Sequence, residues 1–520
     1  MKPINQLIRW VKLNPLFIII LIVGAAARCI ALGSIPPGLN QDEASIGYEA
    51  YSILHYGIDR NGVRLPIHLI AWGSGQNALY AYLSMPFILL FGLNVFSIRI
   101  VSVLFGVLGI TLFYAISRRL MGSKRGAAIA AFLIAISPWH MMMSRWALES
   151  NLFPTLVLLA VWFLLKSLEQ PSWLAGFTIS LALSLYAYGT AYFFVPLFAA
   201  GLFALLAAKR AIKLGTLIWN GALLAIMALP IALFVLINRF DWPSIQTLLF
   251  TIPKLTEPRV EQVSSIFGSG GFDIIWNNFG QFLKLFATHN DGLPWNSIPE
   301  RDHVYPILFI FTLVGIVYIR VRLARQFCIK QAILALWFVI AVLMAFITDV
   351  NINRINIIYY PAIMLGAIGL DWLTGRARLL LWTAVCGLSL LFASFCSYYF
   401  TDYPNRISPS FFESFGEAVQ YASDATDGSV HITNAVNMPY IYVLFYERID
   451  PHHFLDTVQY SNPGGAFQQV SSFGRYTFQS PSIVDGERAA YIFPNYDVPV
   501  VDEGRYEVKP FKHYTVISAR

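Results

Sequence analysis

The sequence predicts an all-α polytopic membrane bundle of about eleven transmembrane helices, followed by a small C-terminal α/β domain outside the membrane. Three observations predict it. Of 520 residues, 57% are hydrophobic and 12% charged, roughly half the charged share of an ordinary soluble domain at about 25%. Apolar runs recur along the chain as far as residue 398, and mean hydropathy is +0.59. Beyond that point Asp, Glu, Pro, Asn and Gly are scattered as in a soluble domain, so the chain divides into 1–398 and 399–520.

Runs able to cross a bilayer, about 17 to 25 residues, lie near 15–33, 96–117, 125–143, 151–167, 173–189, 190–208, 214–237, 304–321, 331–348, 355–373 and 379–398. The first carries Lys2, Arg9 and Lys12 ahead of it and reads as an uncleaved span rather than a signal peptide. Basic clusters follow alternate runs: Arg118, Arg119, Lys124 and Arg125; Lys166; Lys209, Arg210 and Lys213; Arg320, Arg322, Arg325 and Lys330; Arg376 and Arg378. The positive-inside rule makes these ends cytoplasmic, together with the N-terminus. A further apolar stretch, 78–93, breaks that alternation if it crosses. It is short and contains Pro86, so it is expected to lie in the outer interface as a juxtamembrane helix. The outer side then receives the 34–95 loop, a short turn at 138–151, a long loop at 238–303 and the C-terminal domain. A multi-pass plasma-membrane protein is implied.

In the C-terminal domain an amphipathic helix is expected near 411–423, with strands at 430–433, 440–445, 489–493 and 514–518. This region holds 14 acidic and 8 basic residues, so the chain's net charge of +7 belongs wholly to the membrane body. Its clustering between apolar runs is topological, and no nucleic-acid face is evident. The four cysteines, Cys29, Cys328, Cys386 and Cys396, sit in or beside apolar runs and imply no disulfide framework.

No Gly-x-x-x-x-Gly-Lys, His-Glu-x-x-His, Gly-x-Ser-x-Gly or Asp-x-Asp occurs, which removes the common ATPase, zinc-protease and serine-hydrolase signatures. The missing Asp-x-Asp also weakens a metal-bound nucleotide-sugar donor. The glycine run at 268–271 reads as a loop.

Ionisable groups at span ends are costly and mark candidate sites. Arg28 ends the first span, Arg99 begins the second, Arg145 lies in the short turn and Arg354 begins the tenth. Each can snorkel to lipid phosphate; all four on the outer side point together to an anionic ligand. The first outer loop opens Pro36-Pro37-Gly38-Leu39-Asn40-Gln41-Asp42-Glu43. Asn40 and Glu43 have capping-box spacing and Asp42 suits a helix first turn. Equally, Asp42 or Glu43 is a carboxylate able to take a proton from an acceptor hydroxyl or amine. Glu149 is the third candidate, with an ion pair to Arg145 across one helical turn as its structural alternative.

Asp42-Glu43 after the first span, Arg28 before it, a Leu-Tyr-rich helix in the same loop, Arg99 opening the next span and the Arg-x-x-x-acid turn at 145–149 together resemble the protein O-mannosyltransferases and the bacterial lipid A aminoarabinose transferases. The resemblance covers roughly 15–200, thins to 353–361, and implies the C-type glycosyltransferase fold with a sugar donor on a polyprenyl phosphate. Two departures stand out: the turn acid, usually Asp, is Glu149, and a Lys-Pro of the lipid A transferases is replaced by Gln76-Asn77. The 289–296 stretch resembles a substrate-covering loop of the family.

The resemblance implies a hexosyl- or pentosyltransferase. Asp42 is the expected base, Glu43 and Glu149 the orienting acids, and Arg28, Arg99, Arg145 and Arg354 the donor-phosphate ligands. The expected partners are a polyprenyl-phosphate sugar, a protein, lipid or glycan acceptor, and membrane lipids. No cofactor is expected, and one acidic pair is few ligands for a divalent metal. A transporter or flippase of a lipid-linked sugar is the alternative, against which the lack of an internal repeat counts. A membrane-anchored binding module leaves the loop acids unexplained.

Overall fold

The structure, a computed structural model, describes residues 11–258, 271–375 and 377–520. Lys2, Arg9, Arg376, the 259–270 part of the long loop and residues 268–270 of the glycine run lie outside the described residues. Among the described residues, eight helices are long and apolar enough to cross a membrane: Val95–Met121, Glu149–Ser167, Ala191–Ala208, Leu214–Phe240, Pro306–Arg325, Ile329–Ile347, Asn356–Thr374 and Arg378–Thr401. The other three expected spans form shorter helices, so eight long apolar helices stand where the sequence predicts about eleven. The 15–33 run gives Pro15–Cys29. The 125–143 run is cut in two, Lys124–Ala135 and Pro138–Met143, because proline cannot continue a helix and the Ser137 hydroxyl caps the new one. The 173–189 run opens with a 3₁₀ turn, Pro171–Trp173, leaving Leu174–Ser184 as α-helix.

The 78–93 stretch forms Leu79–Phe91, 13 residues. At a rise of 1.5 Å per residue it is about 20 Å long, short of a hydrocarbon core of about 30 Å. Helix pairs in the bundle approach through small residues, the usual means of close packing in lipid. A Cβ on Gly315 would meet the Leu365 carbonyl oxygen at 2.0 Å, and one on Gly369 would meet that of Phe311 at 2.0 Å.

Contacts sort the loops to two ends. Arg119 pairs with Glu169, Arg125 with Asp371, Lys124 donates to the Leu13 carbonyl and Lys209 lies over Phe327, so the expected cytoplasmic clusters share one end. At the other end the 34–95 loop folds into helix Gln41–Tyr56, then a tight hairpin of β1 (His68–Leu69) and β2 (Gln76–Asn77). The long loop adds β3 (Ile245–Gln246) and β4 (Thr251–Ile252), and its Thr251 bonds the hairpin stem at Leu65 and Ile67.

The C-terminal region is α/β as expected. Seven strands, β5 (Ser429–Ile432), β6 (Gln459–Tyr460), β7 (Val470–Phe473), β8 (Tyr476–Phe478), β9 (Ala489–Pro494), β10 (Tyr506–Pro510) and β11 (Tyr514–Ala519), form one mixed sheet in the order β10-β11-β9-β5-β8-β7-β6. Helix Phe415–Ala425 packs on it. The expected strand at 440–445 is instead part of helix Pro439–Glu447. Its Pro439 sits in the first helical turn, and the segment is buried on all sides against helix Gln41–Tyr56, so its run of apolar residues carried no period to tell helix from strand. The four cysteines are free.

Candidate active site

Helix Gln41–Tyr56 starts with a complete capping box: the Asn40 side chain accepts from the Asp42 amide at 3.0 Å, and the Asn40 amide donates to Glu43 Oε2 at 3.2 Å. Glu43 is fully buried and does more than cap. Arg99 Nε donates to its Oε1 and Arg99 Nη2 to its Oε2, both at 2.8 Å, and the Ala147 amide donates to Oε1 at 2.8 Å. One carboxylate thus ties the loop helix, the second span and the 144–148 turn together. Arg99 spends its other donors on the carbonyls of Pro36 at 2.6 Å and Gly38 at 2.9 Å.

Arg28 and Arg145 are also fully buried. Arg28 donates to the carbonyls of Gly24 and Ala135 and lies 2.6 Å from His140 Nδ1. Arg145 donates to the carbonyls of Ala27, Arg28, Ile30 and Ile35 at 2.7 to 3.1 Å. It is bonded there and not to Glu149, because 144–148 is a turn that enters the 3₁₀ helix Glu149–Asn151 and no α-helical face joins the two. Arg354 is set apart: it is half-buried and its Nη1 donates to Asp349 Oδ2 at 2.9 Å. The structure therefore places three of the four arginines fully within the protein framework and leaves one, Arg354, with a partly accessible side chain.

The two remaining acids come together. Asp42, half-buried, accepts from Trp72 Nε1 at 3.4 Å. Glu149 accepts from the Asn77 amide, and Asp42 lies within electrostatic reach of it. Asn77 Oδ1 in turn accepts from the Tyr192 hydroxyl at 3.0 Å. Arg354 joins through the backbone: two residues on, Asn356 donates to the Ser150 carbonyl at 2.8 Å. The 289–296 stretch braces the same segment, since Asp291 accepts from the Ile352 amide at 2.9 Å and from Asn296 Nδ2 at 2.8 Å.

Long apolar helices, a loop helix and carboxylates gathered at one end suggest a comparison with enzymes of lipid-linked sugars. Residues 77–238 match the family model described as dolichyl-phosphate-mannose-protein mannosyltransferase. The structure is similar to ArnT from Cupriavidus metallidurans bound to undecaprenyl phosphate, at TM-score 0.55 and 12% identity over 98% of this chain and 98% of that one. It is similar also to the oligosaccharyltransferase of Archaeoglobus fulgidus, at TM-score 0.51 and 14% identity over 83% of this chain and 63% of that one. The chain has the C-type glycosyltransferase fold. AglB from Archaeoglobus fulgidus, in complex with an inhibitory peptide and a dolichol-phosphate, aligns at TM-score 0.51 and 15% identity over 84% of this chain and 64% of that one. This chain thus spans less than two thirds of the archaeal enzymes' length. No curated protein matches the sequence.

Within this C-type fold the matched segment contains Asn77, Arg99, Arg145, Glu149 and Tyr192, while Asp42 precedes it. Sequence reasoning passed over Trp72, Asn77 as a site residue, and Tyr192. Tyr192 sits at the start of an apolar helix where nothing marks it. Trp72 had a signal, an aromatic in Trp72-Gly73-Ser74-Gly75, where the glycines announce a tight turn. No group of three or more His, Cys, Asp or Glu with metal-holding geometry occurs among the described residues.

Proposed function

We propose that the protein transfers a hexose or pentose from a polyprenyl-phosphate-linked donor to an acceptor at the outer face of the membrane. The observation that carries this reading is the presence of two carboxylates, Asp42 held by Trp72 and Glu149 held by Asn77, within electrostatic reach of each other at one end of a C-type fold, the fold of ArnT solved with undecaprenyl phosphate and of AglB solved with a dolichol-phosphate. In this reading Asp42 takes the proton of the acceptor hydroxyl or amine as the acceptor attacks the anomeric carbon. The carbon–oxygen bond to phosphate breaks on the opposite face, polyprenyl phosphate departs, and the configuration inverts. A phosphate leaving group needs no general acid; it needs a cation, and Arg354 supplies it by exchanging Asp349 for the departing oxygen. Glu149, Asn77 and Tyr192 line the acceptor side. Glu43, Arg28, Arg99 and Arg145 act by holding the elements that present Asp42 and Glu149. The acceptor is a protein, lipid or glycan.

Purified protein in lipid vesicles, given polyprenyl-phosphate-linked hexoses and pentoses with a membrane extract as acceptor, tests this. Sugar should move from the polyprenyl phosphate to acceptor, nucleotide sugars should be ignored, and chelation should change the rate little. Transfer straight from a nucleotide sugar overturns the donor assignment. Movement of intact donor across the vesicle without cleavage makes the protein a flippase instead.

A further inference from the structure

The turn that joins β1 to β2 is wound through three left-handed residues, Ala71 at φ +51°, Gly73 at +110° and Gly75 at +91°. Strain of this kind persists only where surrounding contacts hold it, and it clusters at functional sites. The residue it presents is Trp72, 5% exposed, whose indole N–H faces Asp42 Oδ1 at 3.4 Å.

Both faces of the turn are braced. Below the ring, the Arg60 guanidinium carbon lies 4.3 Å from the ring centroid. Arg60 is fixed in turn by Glu49, with Nε 3.3 Å from Oε1 and its amide donating to Oε2 at 2.9 Å. It also donates to Ser45 Oγ at 3.0 Å, and Ser45 donates to Gln76 Oε1 at 3.1 Å, which closes the loop back to β2. Above, the C-terminal domain closes over the turn. The Gln468 amide donates to the Trp72 carbonyl at 2.8 Å, and Tyr440 meets the indole edge-on at 6.1 Å. Thr256 and Glu257 of the long loop donate to the Gly73 carbonyl at 3.0 and 3.1 Å. A Cβ on Gly73 would meet the Gly465 carbonyl oxygen at 2.6 Å.

The choice of donor has a chemical meaning. A guanidinium against a carboxylate, as at Glu43, brings a full counter-charge to it. An indole N–H is a neutral donor with no acceptor; it fixes the orientation of a carboxylate without itself adding a counter-charge. We propose that Trp72 is the positioning residue for Asp42, held on one side by Arg60 and Glu49 and on the other by the C-terminal domain, so that this domain completes the active site. The inference rests on Asp42 being the base.

Full-length variants in vesicles, assayed on the polyprenyl-phosphate sugar that the wild-type protein consumes, test both. Trp72→Phe keeps the ring and removes the N–H: kcat should fall roughly 10- to 100-fold, the cost of a misplaced catalytic group, with donor KM and melting temperature unchanged. In an Asp42→Asn background it should have no further effect. Tyr440→Ala, remote from Asp42 in sequence, should lower kcat in the same direction. Wild-type kcat for Trp72→Phe, or an undiminished loss in the Asp42→Asn background, overturns the positioning role. Wild-type kcat for Tyr440→Ala overturns the part given to the C-terminal domain, a readout that stands even where Trp72→Phe fails to fold. Normal turnover by Asp42→Asn alone fells the base assignment and leaves the Trp72 geometry unused.

Discussion

Asp42 and Glu43 are adjacent in sequence and opposite in environment. Glu43 accepts from two Arg99 nitrogens, two backbone amides and nothing from solvent. Glu43→Gln therefore leaves the Arg99 cation buried without its counterion, and breaking such a pair costs about 3 to 5 kcal/mol. Loss of folded protein on size-exclusion, before any kinetic effect, is the expected outcome; a well-folded Glu43→Gln protein counts against this reading. Asp42 is half-buried, where Glu43 is fully buried. As a first-turn acid its charge stabilises the helix by about 0.3 to 1 kcal/mol, so Asp42→Asn should fold. Its turnover should drop by roughly 10² to 10⁴, the usual worth of a positioned base, with donor binding retained because Arg354 is untouched. Near-normal transfer by this variant removes Asp42 from the mechanism.

The hairpin β1–β2 has a titration of its own. His68 on β1 is buried, with its ring stacked 4.2 Å from Phe234 and its Nδ1 3.1 Å from the Leu69 carbonyl. Burial disfavours the charged ring and pushes its pKa from 6.5 down to about 4. In the folded protein the ring stays neutral where the unfolded chain already binds a proton. The stability this contributes is present above pH 6.5 and is lost as pH falls from 6.5 towards about 4. Melting temperature should decline over that window in the wild-type protein and decline less in His68→Phe, which cannot titrate. Equal declines in the two proteins would assign the acid sensitivity elsewhere. The window matters for function because the same hairpin carries Trp72 and Asn77, and an assay below pH 6 loosens the site along with the fold.

For the whole molecule, helix Val95–Met121 runs between the two ends. Its N-terminal side lies with the C-terminal domain, where a Cβ on Gly92 would come 3.9 Å from Arg448 and one on Gly62 3.3 Å from Leu455. Its other end carries the basic cluster. In a protein cleared of its native cysteines, Gly62→Cys and Asn94→Cys should label with an impermeant reagent in intact cells, and Gly122→Cys should not. Labelling at 122 and not at 94 inverts the orientation and moves the proposed chemistry to the cytoplasm.

The helical membrane body, the strands of the C-terminal region, the Asn40–Glu43 capping box and the gathering of the acids at one end were legible in the sequence. Each is local: a window of hydropathy, a charge cluster or a four-residue spacing carries it. Helix lengths were less so. Pro138 and the 3₁₀ turn at Pro171–Trp173 shorten helices without lowering hydropathy, and the buried helix Pro439–Glu447 has no polar face to show its period. The roles of the arginines belonged to tertiary structure altogether. A sequence marks Arg28, Arg99, Arg145 and Arg354 alike as charges beside apolar runs. Only the fold decides that the carbonyls of the 27–38 segment and the Glu43 carboxylate engage Arg99 and Arg145, that Arg28 turns inward to Gly24 and Ala135, and that Arg354 keeps a partly accessible side chain. The physical reason is that a buried guanidinium must find its acceptors, and those acceptors come from segments up to more than a hundred residues away.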